Sequence, residues 1–225
     1  MSSSRHVIVV AGGKGLRMET DIPKQFIPIG GKPVLMRTIQ AFADFDSQIH
    51  IVLVLTENFL DYWRKLCDDY NFRIPHEIVT GGQTRFDSVK NGLERVSGGY
   101  VAVHDAARPF VSQQLIAECF RNAEESLAVI PVVPMTDSCR MLNEDGRNFI
   151  VDRSLMRMVQ TPQVFQTSLL QQAYKTPFQE VFTDDASVVE AFHPISLVPG
   201  ENTNIKITNP IDLSIAEWII EHQHS

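Results

Sequence analysis

Three basic side chains crowd a glycine-rich turn near the start of the chain. Ala11-Gly12-Gly13-Lys14-Gly15-Leu16-Arg17-Met18 follows His6 to Val10, an apolar, β-branched run that reads as a buried strand. Pro23-Lys24-Gln25 comes a few residues later. Glycines let a backbone approach an anion closely and take positive φ without strain. Lys14, Arg17 and Lys24 add three positive charges in eleven residues. That composition suits a loop wrapped around a polyphosphate. Arg17 and Lys24 are the side chains to hold charge that builds up in phosphoryl or nucleotidyl transfer. A P-loop requires Gly-Lys-Ser/Thr, and here Leu16 follows Gly15. A dinucleotide turn requires a third glycine where Met18 stands. A plain strand-to-helix turn with exposed basic residues is the bland alternative.

Further candidates follow other strand-like runs. In His104-Asp105-Ala106-Ala107-Arg108-Pro109, Asp105 falls at a strand end, where a carboxylate holds a divalent metal against phosphate oxygens or simply caps the next turn. His104 reads as a hydrogen-bonded structural residue, since no second His or Cys lies at metal spacing. Gly81-Gly82-Gln83-Thr84-Arg85-Phe86-Asp87-Ser88 is a second glycine turn opening a helix, able to offer backbone N–H groups and the Ser88 hydroxyl to a base or phosphate. Thr183-Asp184-Asp185-Ala186-Ser187 has the pattern of a helix N-cap. Asn204 to Thr208 reads as a short strand carrying Lys206. Phe165, Trp218 and the methionines of Leu155 to Met158 read as packing residues. No Ser-His-Asp grouping, reactive cysteine motif or paired-carboxylate spacing stands out. Chemistry must then come from placed charge, with a substrate bringing its own nucleophile.

The elements that position these residues alternate. Helices are expected over Pro33 to Phe45, Asn58 to Asp69, Arg85 to Arg95 and Gln113 to Glu125, the last capped by Ser112. Strands are expected over Ile49 to Leu55, Glu77 to Thr80, Tyr100 to Val103 and Leu127 to Val133. A further helix begins near Pro210. Such alternation implies an α/β fold with a mostly parallel sheet covered on both faces, and sites at the carboxyl ends of its strands. From Pro134 to Gln163 the rhythm breaks. Cys139 to Leu142 and Phe149 to Asp152 flank an Asp145-Gly146 turn, a strong hairpin signal in a stretch too polar for a core.

The 225 residues, 44% of them hydrophobic, suit one domain with a real core. A net charge of −7 disfavours a nucleic-acid partner and makes the basic first loop stand out. No run is long enough to cross a membrane, and none resembles a signal-peptide core. Cys67, Cys119 and Cys139 are widely spaced and read as reduced, mostly buried thiols of a cytoplasmic protein.

Taken in order, these motifs, with Val151-Asp152-Arg153 and Thr161-Pro162-Gln163, resemble the 2-C-methyl-D-erythritol 4-phosphate cytidylyltransferases of the non-mevalonate isoprenoid route over nearly the whole chain. The resemblance implies a Rossmann-like nucleotidyltransferase fold over residues 1–225, with an arm at about 135–160 that forms a homodimer. It implies transfer of CMP from CTP to a polyol phosphate, with pyrophosphate released and Mg²⁺ as cofactor. By the same resemblance Arg17 and Lys24 are catalytic. Ala11, Gly12, Gly13, Gly15, Gly81, Gly82, Ser88 and Asp105 border the nucleotide, and Asp105 also ligates the metal. Arg108, Arg153, Thr161, Thr183 and Lys206 surround the acceptor, with Arg153 and Thr161, at the arm's base, reaching into the site of a second subunit. The Ala11-Gly12-Gly13 form departs from the family's common Ala-Ala-Gly and is shared with ribitol-5-phosphate cytidylyltransferases. Asp105-Ala106-Ala107-Arg108 points back to the erythritol branch. A non-catalytic module that binds CDP-polyols is the reading from another class, and the joint presence of Arg17, Lys24, Asp105 and Lys206 argues against it.

Overall fold

A computed structural model describes residues 4–12 and 22–222. Strand β1 (Arg5–Val10) leads to the short pair β2 (Pro28–Ile29) and β3 (Lys32–Pro33), then helix α1 (Val34–Phe45). β4 (His50–Leu55), α2 (Leu60–Asp69), β5 (Glu77–Thr80), α3 (Arg85–Leu93) and β6 (Tyr100–Asp105) follow. Next come α4 (Gln113–Ser126), β7 (Ala128–Pro134), β8 (Cys139–Leu142), β9 (Asn148–Val151), β10 (Arg157–Val159) and β11 (Gln163–Gln166). The chain closes with α5 (Thr167–Ala173), α6 (Asp185–Val189), β12 (Ser196–Pro199) and α7 (Pro210–His222).

Eight strands form one sheet, in the order β5-β4-β1-β6-β11-β7, with β10 and β12 both paired to β7. β1, β4, β5 and β6 are mutually parallel, as is the β7–β12 pair. β11 runs antiparallel between β6 and β7. The strands are near-continuous apolar runs because both faces are covered. One face packs Val7, Val9 and Leu53 under α1, α2 and α4. The other packs Ile8, Val52 and Val54 under α3 and α5. On α4, Leu115, Ile116, Cys119, Phe120 and Ala123 form the buried stripe expected from their spacing, and Ser112 Oγ accepts the Leu115 N–H at 2.9 Å.

The expected elements fall within a few residues of the observed ones, with β6 continuing through His104 and Asp105. Three expectations are corrected. Asn204 to Thr208 makes no strand ladder; Ile207 N–H instead meets the Ala107 carbonyl at 2.9 Å. Trp218 does not pack in the core: it lies 60% exposed on α7, stacked on His222. Leu155, Met156 and Met158 are exposed too: the first two lie between the hairpin and β10, and Met158 sits on β10, which pairs with β7 at the end of the sheet. The hairpin is β8 paired with β9, turning through Gly146 at φ +81°, a conformation that glycine adopts without strain.

Candidate active site

The carboxyl ends of β1, β4, β5 and β6 bring Gly12, the Gly81-Gly82 turn and the Asp105 segment to one rim. Val10 and Asp105 are register partners, and Ala106 N–H donates to the Val10 carbonyl at 3.1 Å. Gln25, on a short helical turn of residues Lys24–Phe26, donates its side-chain amide to the Ala11 carbonyl at 2.9 Å. Pro23-Lys24-Gln25 is thereby tied to the end of β1. Gly13, Gly15 and Arg17 lie outside the described residues.

Ser88 joins the two glycine turns. A Cβ on Gly12 would lie 3.3 Å from Ser88 Oγ, and one on Gly81 would lie 2.9 Å from the same atom. The turn does not offer its donors outward as the sequence suggested. Gly81 N–H donates to the Leu55 carbonyl at 2.7 Å, and Gly82 N–H to Ser88 Oγ at 3.1 Å. The Ser88 hydroxyl donates to the Thr84 carbonyl at 2.9 Å. Thr84 and Asp87 complete a capping box. Backbone groups at a turn this tight must find partners locally, so the two glycines contribute close approach rather than free N–H groups.

Beside this rim lies a cavity of about 260 Å³ lined by Asp105, Arg108, Thr161, Thr183 and Lys206, all five expected from sequence. Arg85, Val159, Gln160, Gln163 and Asp184 line it as well. Asp105 is its electrostatic centre. Lys206 Nζ sits 2.8 Å from Asp105 Oδ2, Arg108 Nε lies 3.7 Å from that oxygen, and Arg85 Nε lies 3.7 Å from Oδ1. Burial alone would raise the Asp105 pKa, but Arg85, Lys206 and Arg108 together hold it well below the usual carboxylate range. Thr161 Oγ1 accepts the Asp105 N–H at 3.1 Å and lies 3.1 Å from His104 Nδ1. His104 Nε2 lies 3.0 Å from the Arg108 carbonyl, so Nε2 carries the proton and Nδ1 accepts from Thr161. Burial keeps this histidine neutral, with its pKa lowered to about 4.

Arg85, absent from the sequence-derived site, forks onto Asp185 at 3.0 and 2.6 Å. Asp185 is fully buried and also accepts the Tyr174 hydroxyl at 2.6 Å. Gln163 Oε1 accepts the N–H groups of Asp185 and Ala186, and Gln163 Nε2 donates to Asp184 at 2.8 Å. Asp184 caps α6 in a capping box with Ser187, so the N-cap reading of Thr183 to Ser187 describes the local fold while Thr183 still faces the cavity. The sequence marks the motifs that hold Gln163, Arg85 and Asp185, but a buried amide and a bidentate pair one hundred residues apart leave no local pattern that assigns them a role.

Thr161, expected to reach into a partner's site, is instead buried in the cavity of its own chain, bonded to Asp105, whereas Arg153 does not join this cavity. Arg153 stands at the base of the hairpin, where its guanidinium donates to the Thr136 carbonyl. Among the described residues no three His, Cys, Asp or Glu side chains cluster as a metal cage. Asp105 supplies one hard oxygen donor, already held by Lys206. That donor set fits an ion of the magnesium type, which takes one or two protein carboxylates and completes its shell with phosphate oxygens and water.

An α/β sheet with Gly12 and the Gly81-Gly82 turn at the carboxyl ends of its strands, beside a cavity where three cations surround one carboxylate, is the architecture of a nucleotidyltransferase. The family model described as IspD, 2-C-methyl-D-erythritol 4-phosphate cytidylyltransferase, matches residues 5–222, and the chain belongs to that family. It is 55% identical to 2-C-methyl-D-erythritol 4-phosphate cytidylyltransferase of Phocaeicola vulgatus, over 96% of this chain and all of that one. The Bacteroides fragilis protein of the same name is 53% identical over 96% of this chain and 99% of its own. The crystal structure of the Thermus thermophilus enzyme of that name superposes with a TM-score of 0.79 at 34% identity, covering 98% of this chain and 100% of that one. The Anaerococcus prevotii 4-diphosphocytidyl-2C-methyl-D-erythritol synthase superposes at 0.82 with 27% identity, covering 97% and 96%.

Proposed function

We propose that the chain transfers CMP from CTP to 2-C-methyl-D-erythritol 4-phosphate. The products are 4-diphosphocytidyl-2-C-methyl-D-erythritol, an isoprenoid precursor, and pyrophosphate. The observation that carries this reading is Asp105 with Lys206, Arg85 and Arg108 around it, beside the paired glycine turns. The named relatives support methylerythritol phosphate over ribitol phosphate as acceptor, and an enzyme over a binding module.

An acceptor phosphate oxygen attacks the α-phosphorus of CTP. A new P–O bond forms as the bond to the bridging oxygen breaks, and pyrophosphate leaves with that electron pair. The acceptor phosphate is already ionised near neutral pH, so no general base is required. Two anions must meet, and fixed positive charge lowers the barrier most when it is in place beforehand. Arg17 and Lys24 take that role at the α-phosphate. Ala11, Gly12, Gly13, Gly15, Gly81, Gly82, Ser88 and Asp105 border the nucleotide. Arg108, Thr161, Thr183 and Lys206 hold the acceptor, and Arg153 adds a guanidinium fork from a second subunit. Mg²⁺, held by Asp105, would neutralise the triphosphate's charge when bound.

The arm supports a homodimer. An isolated two-stranded hairpin is marginal in water. Leu142, Ile150 and Leu155 are 72%, 78% and 80% exposed on or beside this one, apolar side chains that ask for a partner. The arm of a second copy is that partner. Unpaired thiols at Cys67, Cys119 and Cys139 suit a reducing, cytoplasmic setting.

Pyrophosphate release with CTP and Mg²⁺, measured side by side with methylerythritol 4-phosphate and ribitol 5-phosphate, tests the reading. Turnover confined to the first acceptor is expected. Preference for ribitol phosphate, or no turnover with either, overturns it.

A further inference from the structure

Asn204 is fully buried behind the acceptor cavity and outside the set of residues given a role above. Its side-chain amide donates to the Thr161 carbonyl at 2.9 Å and to Gln160 Oε1 at 3.3 Å. Its own backbone carbonyl accepts from Arg108 Nη1 at 2.7 Å. Two residues further on, Lys206 reaches Asp105. The segment has no strand ladder to hold it, so these bonds stand in for one. Gln160 extends the clamp: its Oε1 accepts the Glu201 N–H at 3.1 Å, and its Nε2 donates to the Glu201 carbonyl at 2.8 Å.

These bonds link three walls of the cavity: the side-chain amide reaches the Gln160–Thr161 run, the backbone carbonyl reaches Arg108, and the segment so held leads to Lys206. Thr161 comes from the run into β11, Arg108 from the turn after β6, and Lys206 from the segment before α7. We propose that Asn204 is a positioning residue that holds Arg108, Thr161 and Lys206 in one geometry for the acceptor phosphate. This rests on the acceptor assignment of those three residues. The geometry is demanding because a guanidinium and an ammonium must converge on one small anion, against the wall that Thr161 forms. A displacement of about 1 Å at such a site costs up to about 100-fold in rate. The nucleotide turns at Gly12, Gly81 and Ser88 make none of the bonds described for Asn204.

Steady-state kinetics of Asn204→Ala and Asn204→Ser, with thermal unfolding, test the role. Asn204→Ala removes both amide donors; Asn204→Ser keeps a single shorter one. For Asn204→Ala the acceptor's kcat/KM is expected to fall about 10–100-fold, with the KM for CTP within about twofold, and Asn204→Ser to fall between. If Asn204→Ala does not fold, Asn204→Ser still carries the same split between acceptor and CTP. Parallel losses for both substrates, or a lowered Tm with unchanged kinetics, would mean that Asn204 merely stabilises the fold. Thr161→Ala and Arg108→Ala run alongside. If they impair acceptor use and the Asn204 variants do not, the positioning role fails alone. If none of the four does, the acceptor assignment fails with it.

Discussion

Lys206 Nζ lies 2.8 Å from Asp105 Oδ2, so a residue from the last irregular stretch of the chain neutralises the carboxylate at the end of a central strand. Asp105 thereby anchors three cations from three separate segments. Asp105→Asn leaves Arg85, Arg108 and Lys206 without their shared counter-charge. We expect the variant to lose much of the Mg²⁺ dependence of turnover while CTP binding measured without metal changes little. An unchanged Mg²⁺ titration would leave Asp105 as an organiser of cations only. Because its folded pKa is depressed, its contribution to stability is present above the ordinary carboxylate pKa near 4 and is lost as pH falls below it.

His104 titrates with the opposite chemistry but the same outcome on acidification. It is neutral in the fold with a pKa of about 4, against an unfolded value of 6.5, so the unfolded chain binds the extra proton between those values. Stability therefore rises with pH across that window and is lost as pH falls through it. That difference corresponds to about 3 kcal/mol as an upper bound. Urea unfolding of His104→Asn between pH 4 and 6.5 is expected to show a flatter pH dependence than the parent chain.

The buried pair of Arg85 and Asp185 gives a stability prediction. Asp185 is fully buried, so removing Arg85 strands its charge, which costs about 3–5 kcal/mol, whereas Arg85 is partly exposed and keeps Asp105 at 3.7 Å. Arg85→Ala is expected near that range in denaturant unfolding, and Asp185→Ala below it. Tyr174→Phe, which removes one hydrogen bond to the same carboxylate, is expected to cost about 1–3 kcal/mol, since the carboxylate keeps its other partners.

Arg17→Ala and Lys24→Ala test the charge on the first loop. Each is expected to keep the fold by circular dichroism and to lower turnover by about 10²–10³-fold, the scale of one lost electrostatic stabiliser. Near-normal turnover in both would remove them from the mechanism.

The arm is tested by complementation. Arg153→Ala is expected to raise the acceptor's KM with little change for CTP. Verified heterodimers of an Arg153→Ala subunit with a Lys24→Ala subunit should recover activity, because one of their two sites carries neither defect. A fully active monomer by light scattering, or no recovery, would exclude completion of the site across subunits.

Sequence by itself determined the parallel strands β1, β4, β5, β6 and β7, whereas β10, β11 and β12 emerge only in the structure. Strands such as His50–Leu55 and Tyr100–Asp105 are apolar runs whose burial on both faces follows from composition. The Ser112 cap and the Gly146 turn are local chemistry, legible in a few consecutive residues. Asp105, Arg108, Thr161, Thr183 and Lys206 were marked by their order along the chain. Tertiary structure alone decided how they meet. The fork of Arg85 on Asp185, the amide of Gln163 beneath α6 and the clamp of Asn204 join residues far apart in sequence. It also decided that Asn204 to Thr208 is no strand, that Trp218 faces outward, and that the Gly81-Gly82 turn keeps its N–H groups for itself. The physical reason is common to all of these. A helix or strand is written in periodic burial, whereas a buried polar group takes whichever partner the packed chain brings within about 3 Å.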